Sequence, residues 1–348
     1  MGGSSSEQGH EESNVKIELF RPEDAEAVGD LFRSVYGEDY PVKVYYDPEQ
    51  LRKAFAEEKI LPAVARELNT GRVVGITSLY NSAPWDGVYE SGGGMVEPEF
   101  RQGRIFYDLC EYLYNQVAPK RNVALVFGEP VCIHVYSQRM QYHLGFHGMA
   151  LEVDLMPRET YEVTFGSQRV PPGRVACMID VKTFRPRPHR VYLPLVYEQQ
   201  LRGLYARLDD ERSIDQATAA IPPDATTRVE TQFFESAGVV RMALHEAGRD
   251  VAEQVAREVE KYQGQGAKIF QAWVGLDRPW VGEVVEQLRD MGFFFGGLLP
   301  RWFDHDGILM QLMYHEPNWE GIKLYRPEMR ELLQQVKADW QEVAVNLS

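Results

Sequence analysis

One order of elements occurs twice in this chain. In the first half a helical pattern over 134–143 ends in Leu144-Gly145-Phe146 and leads into the apolar stretch Met149 to Leu155. In the second half the helical pattern Trp280 to Met291 ends in Gly292-Phe293 and opens a strand pair through Leu299 and Ile308 to Met313. A helix and a strand precede each block, so helix, strand, helix, Gly-Phe, strand, strand recurs at about 150 residues. Self-similarity at that spacing restricts the fold to two tandem copies of one α/β unit. The expected units are 15–185 and 186–348, separated at Arg185-Pro186-Arg187-Pro188, a connector that its prolines stiffen. Residues 1–14 are rich in Gly, Ser and Glu without periodicity and read as a disordered tail.

Val15 to Phe20 alternates as a strand does, and Arg21-Pro22-Glu23-Asp24 places acidic residues in the first turn of a helix over Ala25 to Tyr36. Pro62 to Arg66 and Val73 to Tyr80 form a hairpin about Asn69-Thr70-Gly71. Met95-Val96-Glu97-Pro98 closes a strand, Arg101-Gln102-Gly103-Arg104 makes a short turn, and a helix follows over Tyr107 to Val117. A turn that delivers the chain onto a helix N-terminus presents unpaired N–H groups and a partial positive charge, a cradle for a phosphate that Arg101 and Arg104 would reinforce. Asn122 to Phe127 reads as the next strand. In the second half, Val229 to Phe234 with Gly238 to Leu244 reads as a hairpin, Asp250 to Tyr262 as a helix and Lys268 to Val274 as a strand.

The 348 residues, 44% hydrophobic, suffice for two packed cores. Net charge −15 excludes general affinity for nucleic acid or anionic membrane, both of which are held by clustered Lys and Arg. Cys110, Cys132 and Cys177 stand apart without metal-ligand spacing, so no metal site is expected and the thiols fit a reducing compartment. Without a leader-like segment or an apolar run of membrane-spanning length, the expectation is a cytoplasmic protein.

Strand, V-x-P-x-F-R-x-G, helix resembles the acyl-CoA loop of the GNAT superfamily of N-acyltransferases, and Gly128-Glu129-Pro130, a helix and Leu144-Gly145-Phe146 resemble the second half of that fold. A closer resemblance is to a bacterial group with two tandem GNAT-like domains. It rests on Phe127 to Gln138 (against G-E-A-V-x-x-H-x-Y-S-Q), on Arg185 to Pro194, and on Gly292 to Trp302 (G-F-F-F-G-G-L-L-P-R-W). The resemblance implies an α/β (α+β) fold of two GNAT-like domains, each a mostly antiparallel mixed sheet with splayed central strands flanked by helices. It implies acetyl-CoA or another acyl-CoA as cofactor, held at Met95, Val96, Arg101, Gln102, Gly103, Arg104, Ile105 and Phe106. The implied reaction is N-acylation of a small-molecule amine or amino acid by direct attack on the thioester.

Such an amine must lose a proton, so a carboxylate or histidine serves as base, and a tyrosine can protonate the departing thiolate. Glu129 and Glu90 are the candidate bases, and His134 lies between Glu129 and the candidate acid Tyr136. Tyr142 competes with Tyr136. The family tyrosine falls at Gln141, and a one-residue step turns a helical side chain by about 100°. Tyr40 and Tyr45, with Asn81 and Trp85, are the expected wall of the acceptor site. The second half departs at both places: its turn is Glu246-Ala247-Gly248-Arg249-Asp250, whose carboxylates repel pyrophosphate, and Leu288 stands where the tyrosine would. It is expected to hold no coenzyme A. Phe293, Phe294, Phe295 and Trp302 are expected to bury an interface with the first half or, as a homodimer, with another chain; the alternative is that they are simply core strands. Gln102 and Arg104 replace two family glycines; a chain that had lost the cofactor would be a noncatalytic ligand sensor or assembly module.

Overall fold

In a computed structural model the described residues are 14–38, 40, 42–101, 103–166, 170 and 172–346. They fall into two units, Met1–Tyr80 with Gly92–Arg121, and Asn81–Ser91 with Asn122–Ser348.

The first unit opens with β1 (Val15–Leu19) and α1 (Ala25–Tyr36). Ala25, Val28, Leu31 and Phe32 recur at helical spacing and are the buried face of α1. Asp47 then accepts from the N–H groups of Glu49 and Gln50, both 3.1 Å, and with Pro48 starts α2 (Pro48–Ala56). The strands β2 (Ile60–Glu67) and β3 (Val73–Asn81) form the expected hairpin, β1 and β3 flanking β2 antiparallel. Next comes β4 (Val88–Val96), whose second half belongs to this unit. Gly93 there has φ +63, and a Cβ at Gly92, Gly93 or Gly94 would lie within 2.7 Å of Tyr80, Tyr45 or Phe106 respectively. Three aromatic groups therefore close on this stretch only because it has no side chains. The helix expected over Tyr107 to Val117 is shorter and starts earlier: α3 (Ile105–Tyr112) gives way to a π-helical turn, Leu113–Val117, before Ala118-Pro119. Pro119 cannot supply the N–H that a continuing helix needs.

The second unit contains β5 (Leu125–Gly128), α4 (Tyr136–His143), β6 (His147–Met156), α5 (Glu159–Phe165), β7 (Val175–Thr183) and β8 (His189–Leu193). It continues with α6 (Glu198–Tyr205), β9 (Arg212–Gln216), β10 (Arg228–Phe234), β11 (Val239–Glu246), α7 (Val251–Gln263) and β12 (Ile269–Gly275). Last come α8 (Val281–Asp290), β13 (Phe294–Leu299), β14 (Gly307–Met313) and α9 (Pro327–Asn346). Apart from a parallel β8–β9 pair, the strands lie in the order β4-β5-β7-β6-β13-β14-β12-β11-β10. This mixed sheet is mostly antiparallel and flanked by helices.

The order is a palindrome of roles. β4 runs parallel to β5, and β5, β7 and β6 alternate; β11 runs parallel to β12, and β12, β14 and β13 alternate. The two sets meet where Gly297 of β13 pairs with Ala150 of β6. A side chain at Gly297, φ +137, would lie 2.4 Å from the Met149 carbonyl, so glycine permits the seam. One core continues across it: Phe127 lies 4.6 Å from Trp302, and Phe293, Phe294 and Phe295 are buried with it. Phe293 to Phe295 and Trp302 thus serve as core side chains. Strands on both sides of the Arg185–Pro188 connector share one sheet and one core.

The parallel pairs differ. Pairing of β4 with β5 is confined to Val88–Glu90 against Leu125–Phe127, whereas β11 and β12 stay paired from Val239↔Ile269 to Leu244↔Val274.

Candidate active site

In the first unit Met95 and Val96 are both buried, on opposite faces of β4. Arg101 Nε donates to the Val96 carbonyl at 2.8 Å, tying the turn to the strand end. The first helical bond of α3 runs from Asp108 N–H to the Arg104 carbonyl, 2.8 Å, which leaves the N–H groups of Ile105, Phe106 and Tyr107 at the helix start. Arg104 is exposed over the Tyr107 ring, and nothing lies within 4 Å of a Cβ added at Gly103. Glu97 and Glu99, the acidic residues of the turn, are both paired with Arg72, at 2.9 and 2.8 Å. Space at Gly103 and a helix start fit a pyrophosphate, although the Arg104 guanidinium is paired with Asp108 at 3.3 Å and the Gly103 N–H donates to the Arg101 carbonyl at 3.1 Å. Gln102 lies outside the described residues. Phe106 is partly exposed with its ring against Gly94.

The equivalent turn of the second repeat is filled by the chain itself. A Cβ at Gly248 would meet the Ala225 carbonyl at 2.1 Å; Gly248 N–H donates to Thr227 Oγ1, and Asp250 Oδ1 accepts from Thr227 N–H. Trp280 Nε1 donates to the Ala247 carbonyl.

The residues expected as an acceptor wall divide between the two units. Tyr45 is fully buried, stacked on Phe32 at 4.3 Å, and Tyr40 N–H donates to Tyr46 Oη; both belong to the aromatic core of the first unit. Asn81 and Trp85 belong to the second unit. Asn81 Nδ2 donates to the carbonyls of Asp86 and Val88, closing a turn, and the Arg301 guanidinium lies over Trp85 at 4.8 Å.

Glu129 and Glu90 do come together, around a group the sequence reading missed. Arg241 of β11 donates through Nη2 to Glu129 Oε1 at 2.7 Å and to Glu152 Oε1 at 2.9 Å, and through Nε to Gln271 Oε1 at 3.0 Å. Gln271 Nε2 donates to the same Glu152 oxygen at 2.9 Å. The rings of Phe234 and Trp273 cover the guanidinium. Glu90, which accepts from Ser82 Oγ at 2.8 Å, lies close enough to act on Glu152 and Arg241 electrostatically. Glu152 is fully buried, and its Oε2 has no hydrogen-bond partner among the described residues. Burial first and the Glu129 charge second push its carboxyl up to about 8, against the pull of Arg241 and Gln271. One guanidinium cannot neutralise two carboxylates in a dry interior, and Glu152, the more buried, keeps the proton.

The expected acids lie elsewhere. Tyr136 is 77% exposed at the start of α4; its N–H donates to His134 Nδ1 at 3.3 Å, and burial lowers the His134 pKa. Tyr142 lines a cavity of ≈ 50 Å³ with Tyr325, Arg326 and Asp180, its ring 4.2 Å from the Arg326 guanidinium. Asp180 and Cys177 are three apart on β7 and so face opposite sides of the sheet, Asp180 toward Tyr142 and Cys177 toward Glu152. The tyrosine near the carboxylates is Tyr161 of α5, whose hydroxyl lies 3.9 Å from Cys177 Sγ.

A sequence signal for the missed residues existed. Glu152 interrupts Met149 to Leu155, Arg241 interrupts Val239 to Leu244, and Gln271 and Gln311 interrupt two further apolar strands. Arg241 pairs with Gln271 and Gln271 with Gln311, so the interruptions form one row across β11, β12 and β14.

Stability should record the Glu152 proton. Its folded pKa exceeds the ordinary 4.5, so between pH 4.5 and about 8 the folded chain binds more protons than the unfolded one and stability falls as pH rises. The melting temperature of the wild type is expected to drop across that window, and Glu152→Gln to flatten the drop. Identical slopes in both proteins would refute the assignment.

No family model matches the chain, and no curated protein matches it by sequence. Solved structures that resemble it are GNAT-family acetyltransferases. One is a ribosomal-protein-S5-alanine acetyltransferase from Vibrio fischeri, at 12% identity and TM-score 0.38, covering 50% of this chain and 95% of that one. Another is a GNAT-family acetyltransferase from Desulfovibrio desulfuricans, at 16% identity and TM-score 0.36, covering 49% and 99%. A third is the spermidine N-acetyltransferase of Vibrio cholerae in complex with CoA and spermine, at 11% identity and TM-score 0.37, covering 49% and 96%.

Proposed function

We propose that this chain is an acyl-CoA-dependent N-acyltransferase of GNAT type whose two sequence repeats, 15–185 and 186–348, are tandem GNAT-like domains, of which only the first binds acetyl-CoA or another acyl-CoA. The contrast between repeats carries the reading. The β4–α3 turn offers open backbone at Gly103 and a free helix start, and pairing of β4 with β5 stops after three residues. The β11–α7 turn is occupied by Ala225 and Thr227, and its parallel pair is continuous. A bound acyl-CoA would supply an activated thioester. The chain's own part is to hold the pyrophosphate at Arg101 to Phe106 and to take the amine proton at Glu129 or Glu90. Tyr136, Tyr142 and Tyr161 are the acids that could serve the thiolate. A small amine is the acceptor. Three free, buried cysteines suit the cytoplasm.

Calorimetry with acetyl-CoA should give one site per chain, lost in the double variant Arg101→Glu, Gly103→Pro. Two sites, or binding indifferent to that double variant, would overturn the reading. One observation favours the noncatalytic alternative of a ligand sensor or assembly module: Glu129 is held by Arg241 and Tyr136 is exposed, an arrangement that a purely structural ion pair would also give.

A further inference from the structure

The second repeat holds no cofactor in this reading, yet it supplies the only guanidinium hydrogen-bonded to the first repeat's Glu129 and Glu152 among the described residues. We infer that Arg241 and Gln271 of the second repeat are positioning residues for the candidate base Glu129, so that the degenerate half completes the proton-transfer site of the other. The inference rests on the acyltransferase reading for its chemistry and on the geometry for its parts.

The geometry is specific. A single nitrogen, Arg241 Nη2, bridges oxygens of two carboxylates on different strands, and Nε is spent on Gln271, which in turn donates to Glu152. The rings of Trp273 and Phe234 lie 5.4 and 5.5 Å from the guanidinium carbon, and a lysine ammonium would not reproduce its several donors at these partners. Gln271 is itself aligned by its register with Gln311, whose Oε1 accepts from Val153 N–H at 2.8 Å and whose Nε2 donates to the Leu151 carbonyl at 2.9 Å. Glu152 is thereby set on the strand that Gln311 grips. The groups facing Glu152 are Glu90 from β4, Glu129 from the end of β5, Tyr161 from α5, Cys177 from β7 and Arg241 from β11, with Cys132 nearby. Of these, Arg241 alone is a cation. Its position decides which carboxylate is free to accept a proton from an amine and which one already holds it.

Two measurements on the full chain test this. The first is a pH titration of glutamate side-chain carboxyl carbons by NMR in wild type, Arg241→Gln and Arg241→Lys. In the wild type one carboxyl should titrate near pH 8, and in Arg241→Gln the midpoint should rise by at least about one unit, a tenfold change in the proton equilibrium. Arg241→Lys should recover part of the shift. The second is the pH–rate profile for acylation of an amine panel. Removing Arg241 takes away the charged donor 2.7 Å from the Glu129 carboxylate, so the acid limb should move to higher pH and kcat at pH 7 should fall about tenfold or more, with the acetyl-CoA affinity unchanged. Gln271→Leu, which keeps the cation, should shift the profile in the same direction by less and covers the case in which Arg241→Gln does not fold. A wild type that acylates no amine but shows the NMR shift would sink the enzyme reading and leave the coupling standing. A folded Arg241→Gln chain with unaltered titration and unaltered pH profile would overturn the inference.

Discussion

Acylation of amines by this chain is expected to fall by about 10²–10⁴-fold when Glu129 is replaced by glutamine, while acetyl-CoA binds nearly as before. The separation follows from where the groups lie in the chain. The turn proposed for the cofactor, Arg101 to Phe106, includes neither of the proposed bases, Glu129 and Glu90. Glutamine keeps the shape of the side chain and can still accept from Arg241, so the change tests proton transfer more than packing. Glu90→Gln is the companion variant, since Glu90 acts on the same Arg241 and Glu152. The rate is read as thiol release across a panel of amines and amino acids, and it should rise as pH approaches the pKa of the base. If acetyl-CoA binds but nothing is acylated, and the double variant differs from wild type in no measurable respect, a noncatalytic sensor is the better description.

The second large effect concerns stability. Asp306, fully buried after β13, accepts from Arg212 Nε at 2.5 Å, from Arg212 Nη2 at 3.3 Å and from Arg301 N–H at 2.8 Å, and His189 Nε2 lies 3.1 Å away. The Arg212 side chain is only 3% exposed, and its other carboxylate, on Asp210, is at 3.4 Å. Asp306→Ala leaves that guanidinium buried and poorly compensated, which typically costs ~3–5 kcal/mol. For a unit of this size that corresponds to a melting temperature lower by roughly 10 °C. Denaturant unfolding of the full chain measures the loss, and a change below about 1 kcal/mol would show the cluster to be dispensable. The pH dependence has a sign opposite to that of Glu152. Despite burial, His189 and Arg212 hold the Asp306 carboxyl well below the ordinary aspartate range, so its contribution is complete above that range and is lost as pH falls.

The elements themselves were legible in the sequence. α1 occupies the residues its apolar spacing indicated, the Asn69-Thr70-Gly71 hairpin forms, and both Gly-Phe turns lead into strands. Hydrophobic period and turn chemistry are local properties, and local properties fix local structure. The helix start at Ile105 was legible within two residues, but its π-helical end was not, because the way a helix stops depends on what Pro119 and the core around Leu113 and Tyr114 allow. The closed turn at Gly248 was legible as unsuited to pyrophosphate from its acidic residues. That Ala225 and Thr227 fill it came only from tertiary structure.

The constellation around Glu129 was half visible. Residues 90 and 129 stood out because they border recognisable strands, whereas Arg241 was a single polar interruption in an apolar run and Glu152 one of two, with Asp154, in another, widely separated along the chain. Nothing local pairs them. The pairing of β6 with β13 and the register of β11, β12 and β14 put them on one face of one sheet, where burial makes one cation decisive for two carboxylates. The same pairing packs Phe293 to Phe295 and Trp302 into one core with Phe127 of the first half. Sequence determined that the order of elements recurs and that the turn of the second repeat carries carboxylates unsuited to a phosphate. Only the tertiary structure decided that the strands of the second repeat share a sheet with those around Glu129, because edge pairing between strands is a long-range contact that composition and periodicity do not encode.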